Sequence, residues 1–299
     1  MNILFFHKSN SIYLPFTLSQ VQESNPKANI VLLGDDSNDK YSFVLHENIS
    51  DYSKSASEFE KIYKHMSLTP YQFELICFLR WFVFRDYLYE KDYEGEFICL
   101  DSDLLVYEDI NKMHGFFEGY DITVRGNGGA GFQWFKNKEV LDDFCNFIKM
   151  QYTNSELFQR LELNWIEHQK LNFGGICDMT MFNFYLSEGY YKVCDISSKF
   201  NNILVEKALT DIADSVLIKG SLRVFKSNYL PYFLKSESLE CIYIGSLHHN
   251  SDKARIYKLY YGDRFKRKKY IMWFKDIVSN IRCKLIIRTR IKRMFTSNS

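Results

Sequence analysis

Residues 97–110 read FICLDSDLLVYEDI, an apolar run that ends in two aspartates separated by one serine. The run Phe97–Leu100 predicts a buried β-strand, so Asp101 and Asp103 follow directly at its carboxyl end. Two carboxylates this close together repel each other in a medium of low dielectric constant. A divalent cation relieves that repulsion, and Mg²⁺ and Mn²⁺ both prefer oxygen ligands. The pattern therefore indicates a metal site, where the cation would be shared with a substrate diphosphate.

Other interpretations of the Asp-Ser-Asp triplet compete with this metal site. A calcium-binding loop requires a polar residue and then a glycine where this chain has Leu105 and Val106. Phosphatases of the haloacid-dehalogenase class carry DxDx[TV] after their first strand, whereas Leu105 occupies the Thr/Val position here and the triplet begins only at residue 101. Two solvated acids at a strand end are the simplest alternative, because the triplet alone is common.

The chain around this stretch alternates predicted strands and helices. NILFF at residues 2–6 and NIVLLG at residues 29–34 predict two strands, and the apolar spacing of the residues between them predicts a helix. Thr69-Pro70 opens an aromatic-rich helix that leads into the strand Phe97–Leu100. This alternation predicts an α/β fold with a parallel or mixed sheet flanked by helices. Ligands of such sheets lie beyond the carboxyl ends of the strands, where both aspartates fall.

Composition indicates the class of protein. With 299 residues, 46% hydrophobic and 17% aromatic, the chain can build one large core, which excludes a disordered protein. The apolar run at residues 3–6 is too short for a secretory signal, and no run approaches the roughly 20 apolar residues of a membrane span. Seven scattered cysteines without a C-x-x-C pair predict neither a zinc site nor a redox motif. We therefore expect a cytoplasmic location.

Charge is distributed unevenly along the chain. Residues 264–293 contain twelve lysines and arginines and one aspartate, whereas acids outnumber bases elsewhere. Residues 274–295, which overlap this segment, place apolar side chains on one stripe of a predicted helix. Such a basic amphipathic helix can lie in an anionic membrane surface, although docking on the main domain is an alternative. The acidic remainder and the lack of a nucleic-acid-binding motif argue against a nucleic-acid partner. We predict two parts, residues 1–260 and a basic tail over residues 261–299.

With its flanking segments, the Asp-Ser-Asp stretch resembles the donor-binding core of GT-A-fold glycosyltransferases, particularly the bacterial enzymes of capsule and lipopolysaccharide assembly. The matching pieces occur in the order of that family and cover most of residues 1–255. They are the opening β-α-β unit, LRWFVFRDYLYEK before the strand, GGAGFQWFKNKEVLDDF after the triplet and GGICDMTMFNFYL further on. The resemblance implies a GT-A catalytic domain over residues 1–260 and a nucleotide-sugar donor, with a UDP-sugar as the expected choice.

The resemblance also implies roles for individual residues. Asp101 would contact the ribose or sugar of the donor and also serve as a ligand of the metal, and Asp103 would coordinate the metal. Arg80, on the helix before the triplet, would face the donor, and an ion pair with Asp86 or another acid on the surface is the alternative. Phe6, at the end of the first strand, would lie near the nucleotide base, and plain core packing is its alternative.

The late segment IYIGSLHHNSDKARIYK resembles the region that completes the metal site in many of these enzymes. It implies a histidine ligand to Mn²⁺ or Mg²⁺, taken here as His248 with His249 as the alternative, and a donor-binding lysine, Lys253, that reaches the diphosphate. The family pattern H-x-x-G-x-x-K is not met, because Ser251 replaces the glycine and Lys253 falls one place early. Adjacent histidines at a strand end can also be ordinary surface residues.

Transfer to an acceptor hydroxyl calls for a general base, and Asp178 is the candidate. It follows the turn FGG, which lets the backbone approach a sugar, and it begins a predicted helix whose dipole favours a carboxylate. That position also makes a helix cap the alternative role. If the anomeric configuration is retained, a ligand of the donor sugar is the better interpretation.

These observations lead to one functional hypothesis and one alternative. The hypothesis is a metal-dependent glycosyltransferase that transfers a sugar to a glycan or lipid-linked acceptor in surface polysaccharide synthesis, such as that of lipopolysaccharide. It would associate peripherally with the inner face of the membrane through its basic tail. The alternative is a non-catalytic nucleotide- or sugar-binding protein tethered at the membrane surface.

Overall fold

The computed structural model of the chain describes residues 1–126, 128–218, 221–227, 230–249, 253–275 and 278. Its strands are β1 (Asn2–Phe6), β2 (Asn29–Gly34), β3 (Leu45–Asn48), β4 (Phe97–Leu100), β5 (Leu104–Val106), β6 (Ile122–Val124), β7 (Phe132–Phe135), β8 (Val193–Asp195), β9 (Lys199–Phe200), β10 (Ile203–Ala208), β11 (Leu217–Ile218), β12 (Ser221–Leu222), β13 (Tyr232–Leu234) and β14 (Cys241–His248).

The helices alternate with these strands in the first two thirds of the chain. They are α1 (Leu14–Ser24), α2 (Lys54–Ile62), α3 (Tyr71–Glu90), α4 (Ile110–Phe117), α5 (Lys138–Thr153), α6 (Ser155–Leu171) and α7 (Asp178–Ser187), with 3₁₀ turns at Ile49–Tyr52 and Lys253–Leu259. Residues 266–275 are also helical. None of the helices in the described residues is both long and apolar enough to cross a bilayer.

The main sheet has seven strands in the order β3-β2-β1-β4-β7-β6-β8. Strands β3, β2, β1 and β4 run parallel, and β4 and β6 each pair antiparallel with β7. Alternating side chains of β1 enter different cores, because successive residues of a strand point to opposite faces of the sheet. Leu4 packs with α2, α3, α5 and α7, whereas Ile3 and Phe5 pack with α1 and α4. The predicted mixed α/β sheet flanked by helices is thus confirmed.

A second, smaller sheet brings the late part of the chain to the carboxyl ends of the first strands. Its path is β13-β14-β10-β9, and β5 pairs with β14 outside that path. Strand β5 follows Asp103 directly, and its antiparallel register sets Leu104 opposite His248 and Val106 opposite Ser246. A contact between residues almost 150 positions apart is therefore fixed by strand pairing.

Helix α3 is buried around most of its circumference, because it lies between the main sheet and the neighbouring helices. Its buried side chains include Trp81, Phe82 and Phe84, and Trp81 meets Phe144 and Phe182 edge to face. A helix packed on this scale has a fixed position, so the polar side chains that it carries toward the sheet edge are also fixed. Most of the predicted tail helix, residues 274–295, lies outside the described residues.

Candidate active site

A cavity of about 560 Å³ opens where β1 and β4 end. One wall comes from α3 and the start of α7, another from the turn between β6 and β7, and a third from the ends of β10 and β14. The carboxyl ends of parallel strands are where an open α/β sheet binds its ligands. The sequence-predicted residues that line this cavity are Phe6, Arg80, Asp101, Asp103, Asp178 and His248.

Asp101, Asp103 and His248 form a compact group of possible metal ligands. One ligand atom from each lies within 4.8 Å of the other two. The Nε2 atom of His248 is 3.2 Å from Oδ1 of Asp103 and 3.4 Å from Oδ2 of Asp101. Two carboxylates and one imidazole suit Mn²⁺ or Mg²⁺, so the residues present fit the cation that the resemblance implies.

The geometry distinguishes between the two adjacent histidines. Strand pairing with β5 places the ring of His248 at the two aspartates, whereas the next residue points to the other side. His249 is 2% exposed, and neither of its ring nitrogens has a hydrogen-bond partner among the described residues. Burial lowers the pKa of His249 to about 4. Its backbone N–H donates to the carbonyl oxygen of Asp103 at 3.0 Å, which anchors the Asp-Ser-Asp turn.

The acids around His248 raise the pKa of its imidazole. Burial by itself lowers the pKa of this imidazole, but hydrogen bonds to Asp103 and Glu206 and the charge of Asp101 raise it to about 10. The imidazolium therefore balances part of the negative charge at the group. A divalent cation that takes Nε2 as a ligand has to displace that proton, because a metal binds neutral imidazole.

Glu206 is a site residue that the sequence analysis missed. It lies on β10, is 2% exposed, and its Oε1 atom is 3.1 Å from Nδ1 of His248. The one local signal is an acid that follows the apolar residues ILV in the segment ILVEKA. That signal does not say which residue the acid contacts, since β10 and β14 meet only through the fold.

Arg80 links the acid pair to α7. Its guanidinium donates to Asp101 and, at 2.7 Å, to Oδ2 of Asp178, and it stacks 4.6 Å from the centre of the Trp81 ring. Burial lowers the pKa of Arg80, but the charges of Asp101 and Asp178 outweigh it and raise the pKa. The alternative ion pair with Asp86 is wrong, because Arg80 points into the cavity.

Asp178 occupies the first turn of α7 and lines the cavity. Its Oδ2 accepts hydrogen bonds from Arg80 and from the indole N–H of Trp81 at 3.1 Å, and its Oδ1 accepts the N–H of Met179 at 2.9 Å. These three donors use most of the lone pairs that a general base would offer to an acceptor. The arrangement favours the interpretation of Asp178 as a positioning residue or sugar ligand.

Phe6 and His7 form the wall of the cavity at the end of β1. The ring of Phe6 lines the cavity and also meets Phe84 edge to face, so it packs against the core, and its place near the nucleotide base stays a prediction. His7 bonds through Nδ1 to the Ser102 hydroxyl at 2.8 Å, which ties β1 to the Asp-Ser-Asp turn. Lys253 begins a 3₁₀ turn, and its side chain lies outside the part that the structure describes.

Comparisons with known proteins found similarity to solved structures. No protein-family model matches the chain, and the curated proteins gave no match. Similar solved structures include mouse xyloside xylosyltransferase 1, with 12% identity, 85% of this chain and 99% of that chain covered, and a TM-score of 0.49. Another is the galactosyltransferase LgtC in complex with donor and acceptor sugar analogs, with 12% identity, 90% and 100% covered, and a TM-score of 0.42. A third is a glycosyltransferase involved in glycosylation of the major capsid of PBCV-1, with 12% identity, 85% of this chain and 96% of that chain covered, and a TM-score of 0.43.

Proposed function

We propose that this protein is a metal-dependent glycosyltransferase of the GT-A fold. The observation that carries the proposal is the group of Asp101, Asp103 and His248 in a cavity at the carboxyl ends of the strands. The donor would be a nucleotide sugar, with a UDP-sugar as our choice. The acceptor would be a glycan or lipid-linked glycan in the synthesis of a surface polysaccharide such as lipopolysaccharide.

The residues of the cavity divide the chemistry among them. Asp101, Asp103 and His248 would hold Mn²⁺ or Mg²⁺, which when bound supplies positive charge to the departing nucleoside diphosphate. Phe6 borders the space proposed for the base, and Lys253 is the proposed cation for the diphosphate. With the base and the diphosphate held at these two places, the sugar of the donor would lie at the wall that Arg80 and Asp178 form.

Arg80 and Asp178 would position the donor sugar. The two side chains fix each other through an ion pair of 2.7 Å, and the Trp81 indole holds the same carboxylate oxygen. Pre-organised side chains of this kind cost little to order when the sugar binds, which improves the alignment of the reacting atoms. Oδ1 of Asp178 accepts one hydrogen bond among the described residues, from the N–H of Met179, whereas Oδ2 accepts two, so Oδ1 is the oxygen that we assign to a sugar hydroxyl.

Hydrolysis of nucleotide sugars tests the proposal directly. The full chain should release a nucleoside diphosphate from at least one donor of a panel of UDP-, GDP- and ADP-sugars, and the release should require Mn²⁺ or Mg²⁺. Mass spectrometry of the reaction would identify the donor. Ordinary nucleotide binding without turnover of any donor, with sugar acceptors present, would contradict the enzyme and favour the non-catalytic tether.

We also propose that the tail binds an anionic membrane surface at the cytoplasmic face. The helical residues 266–275 carry four exposed apolar side chains, and five of these ten residues are basic. Arg264 and Phe265, which precede this helix, pack on Phe43, so the helix starts from a fixed point on the domain. Basic residues attract anionic headgroups while aromatic rings enter the boundary beneath them. The exposed side chains are Tyr270, Ile271, Trp273 and Phe274.

Serine substitution at both Trp273 and Phe274 should weaken binding to vesicles that contain phosphatidylserine by at least about tenfold. The two side chains are 54% and 62% exposed, and their partial burial in the headgroup boundary is worth more than about 1.4 kcal/mol. Co-sedimentation with vesicles measures the effect. As a control, serine at Tyr190 and Leu239, which are at least as exposed, should leave binding unchanged. Equal vesicle binding by the Trp273 and Phe274 variant would reject this anchor.

A further inference from the structure

Glu206 is a buried carboxylate in the wall of the cavity whose charge needs an explanation. It is 2% exposed, and among the ion pairs of the described residues its partner is His248. Its second oxygen, Oε2, has no hydrogen-bond partner among those residues. A buried carboxylate with incomplete hydrogen bonding costs free energy of folding. A contribution to stability therefore does not by itself explain the contact between Glu206 and His248.

The contact has a direct chemical consequence for the imidazole of His248. A neutral imidazole carries its proton on one nitrogen, and the hydrogen bond of that N–H decides which nitrogen is free. Oε1 of Glu206 is 3.1 Å from Nδ1, on the side of the ring away from Asp101 and Asp103. An N–H at Nδ1 that donates to Glu206 leaves the lone pair of Nε2 directed at the two aspartates.

We infer that Glu206 is a positioning residue, which fixes the tautomer and the ring orientation of His248 for a divalent cation. Carboxylates that accept from a ligating histidine raise the basicity of that ligand and hold its ring in place. The inference rests on the proposed metal site and extends it to a residue that does not itself touch the cation. On this inference, the buried charge of Glu206 increases the affinity of the site for the cation.

Gly131 provides an independent geometric observation. A Cβ atom at this position would lie 2.7 Å from Nδ1 of His248 and 3.0 Å from Oε1 of Glu206. Both distances are shorter than a normal contact, so an alanine would push the two side chains apart. The carbonyl oxygen of Gly131 accepts the N–H of Asp101 at 2.8 Å, which prevents this segment from moving away without disturbing the acid pair.

The affinity of the full chain for MnCl₂, measured by isothermal titration calorimetry, tests the inference. Glu206→Leu should weaken Mn²⁺ binding by about 10- to 100-fold, the usual cost of removing such a partner. Glu206→Gln keeps an oxygen that can accept from Nδ1–H, so it should lose less than about tenfold. Gly131→Ala should weaken binding as well. Far-UV circular dichroism and thermal unfolding would verify that each variant folds.

Two control variants separate this effect from a general effect of altering buried groups. Glu108→Gln neutralises another buried carboxylate, which pairs with Lys112 outside the cavity. Gly115→Ala adds a methyl group in α4, where the closest side-chain atom would be 3.8 Å from the new Cβ. Both should bind Mn²⁺ as the unmodified chain does.

Pulsed electron paramagnetic resonance of bound Mn²⁺ gives a signature that a purely structural role of Glu206 would not change. The nitrogen coupling from the imidazole should be present in the unmodified chain and in Glu206→Gln, and reduced in Glu206→Leu. Suppose that the unmodified chain binds Mn²⁺ tightly and that the Mn²⁺ affinity and the nitrogen coupling are unchanged in Glu206→Leu. This result would overturn the role of Glu206 without contradicting the metal site. If the unmodified chain binds no Mn²⁺, or if Asp103→Ala binds it equally well, the metal site of the proposed function fails too.

Discussion

Asp103→Ala should reduce Mn²⁺-dependent sugar transfer by about 10³-fold or more, the largest effect on activity that we expect. The variant loses one of three clustered ligands, and we expect Asp101 and His248 alone to hold the cation too weakly to retain it. A cation at a departing diphosphate supplies several kcal/mol of stabilisation, and about 4 kcal/mol corresponds to 10³-fold in rate. The variant should still fold, because the backbone carbonyl that accepts the N–H of His249 is retained.

Calorimetric titration of a nucleoside diphosphate, with and without Mn²⁺, measures the binding part of this loss. In the unmodified chain, EDTA should remove the same increment of affinity that Asp103→Ala removes, and EDTA should have little further effect on the variant. Asp51→Ala, an exposed acid outside the cavity, serves as the control. Unchanged Mn²⁺-dependent affinity in Asp103→Ala would refute the assignment of Asp103 to the metal.

Much of the fold was predictable because local patterns determine it. The apolar runs of β1, β2 and β4 are short, continuous and followed by turn residues, and each is buried in the sheet. The position of Asp101 and Asp103 at the carboxyl end of β4 therefore follows from the sequence, once the strand before them is recognised.

The ligand choice between His248 and His249 was not predictable from local pattern. Successive side chains of a strand point to opposite faces, so the choice depends on the register with which β14 meets β5. That register is a contact between distant parts of the chain. The partner of His248, Glu206, depends on a second such register, between β10 and β14. A site whose residues are brought together by strand pairing is therefore difficult to recognise from the sequence of either strand alone.

The roles of Arg80 and Asp178 were predictable in outline but their mutual contact was not. Each falls at a recognisable place, one on the helix before the acid pair and the other at the start of α7. Their ion pair spans 98 positions, and it depends on how α3 and α7 pack around Trp81. Helix packing of this kind follows from the shapes of many side chains together.

Arg80→Met should lower the free energy of unfolding by about 3–5 kcal/mol, the largest effect on stability that we expect. Arg80 is 14% exposed at its side chain and pairs with Asp101 and Asp178, which are 23% and 6% exposed. Removing the cation from a buried ion pair leaves the acids uncompensated in a poorly solvated place. Chemical denaturation monitored by tryptophan fluorescence and circular dichroism measures the change.

Arg85→Met provides a matched control on the same helix. Arg85 is also 14% exposed, but its partners Asp86 and Asp142 are 17% and 32% exposed and lie outside the cavity. Neither acid is as deeply buried as Asp178, and Asp86 keeps a hydrogen bond from the backbone N–H of Ser55, so the loss should be smaller, about 1–2 kcal/mol. Nucleotide-sugar turnover should be retained in Arg85→Met and lost in Arg80→Met. Equal losses of stability in the two variants would contradict a special cost of the acids beside Arg80.

A double variant separates the ion pair from the other contacts of Arg80. Asp178→Asn removes the charge that Arg80→Met leaves unpaired, so the double variant should be more stable than the sum of the two single changes predicts. The coupling free energy between the two substitutions should exceed about 1 kcal/mol, because both groups are buried and the guanidinium nitrogen of Arg80 lies 2.7 Å from Oδ2 of Asp178. Additive losses would show that Arg80 and Asp178 act independently. In that case the stability of α7 depends on the bonds of Asp178 to Trp81 and Met179, and the shared wall for the donor sugar would have to be abandoned.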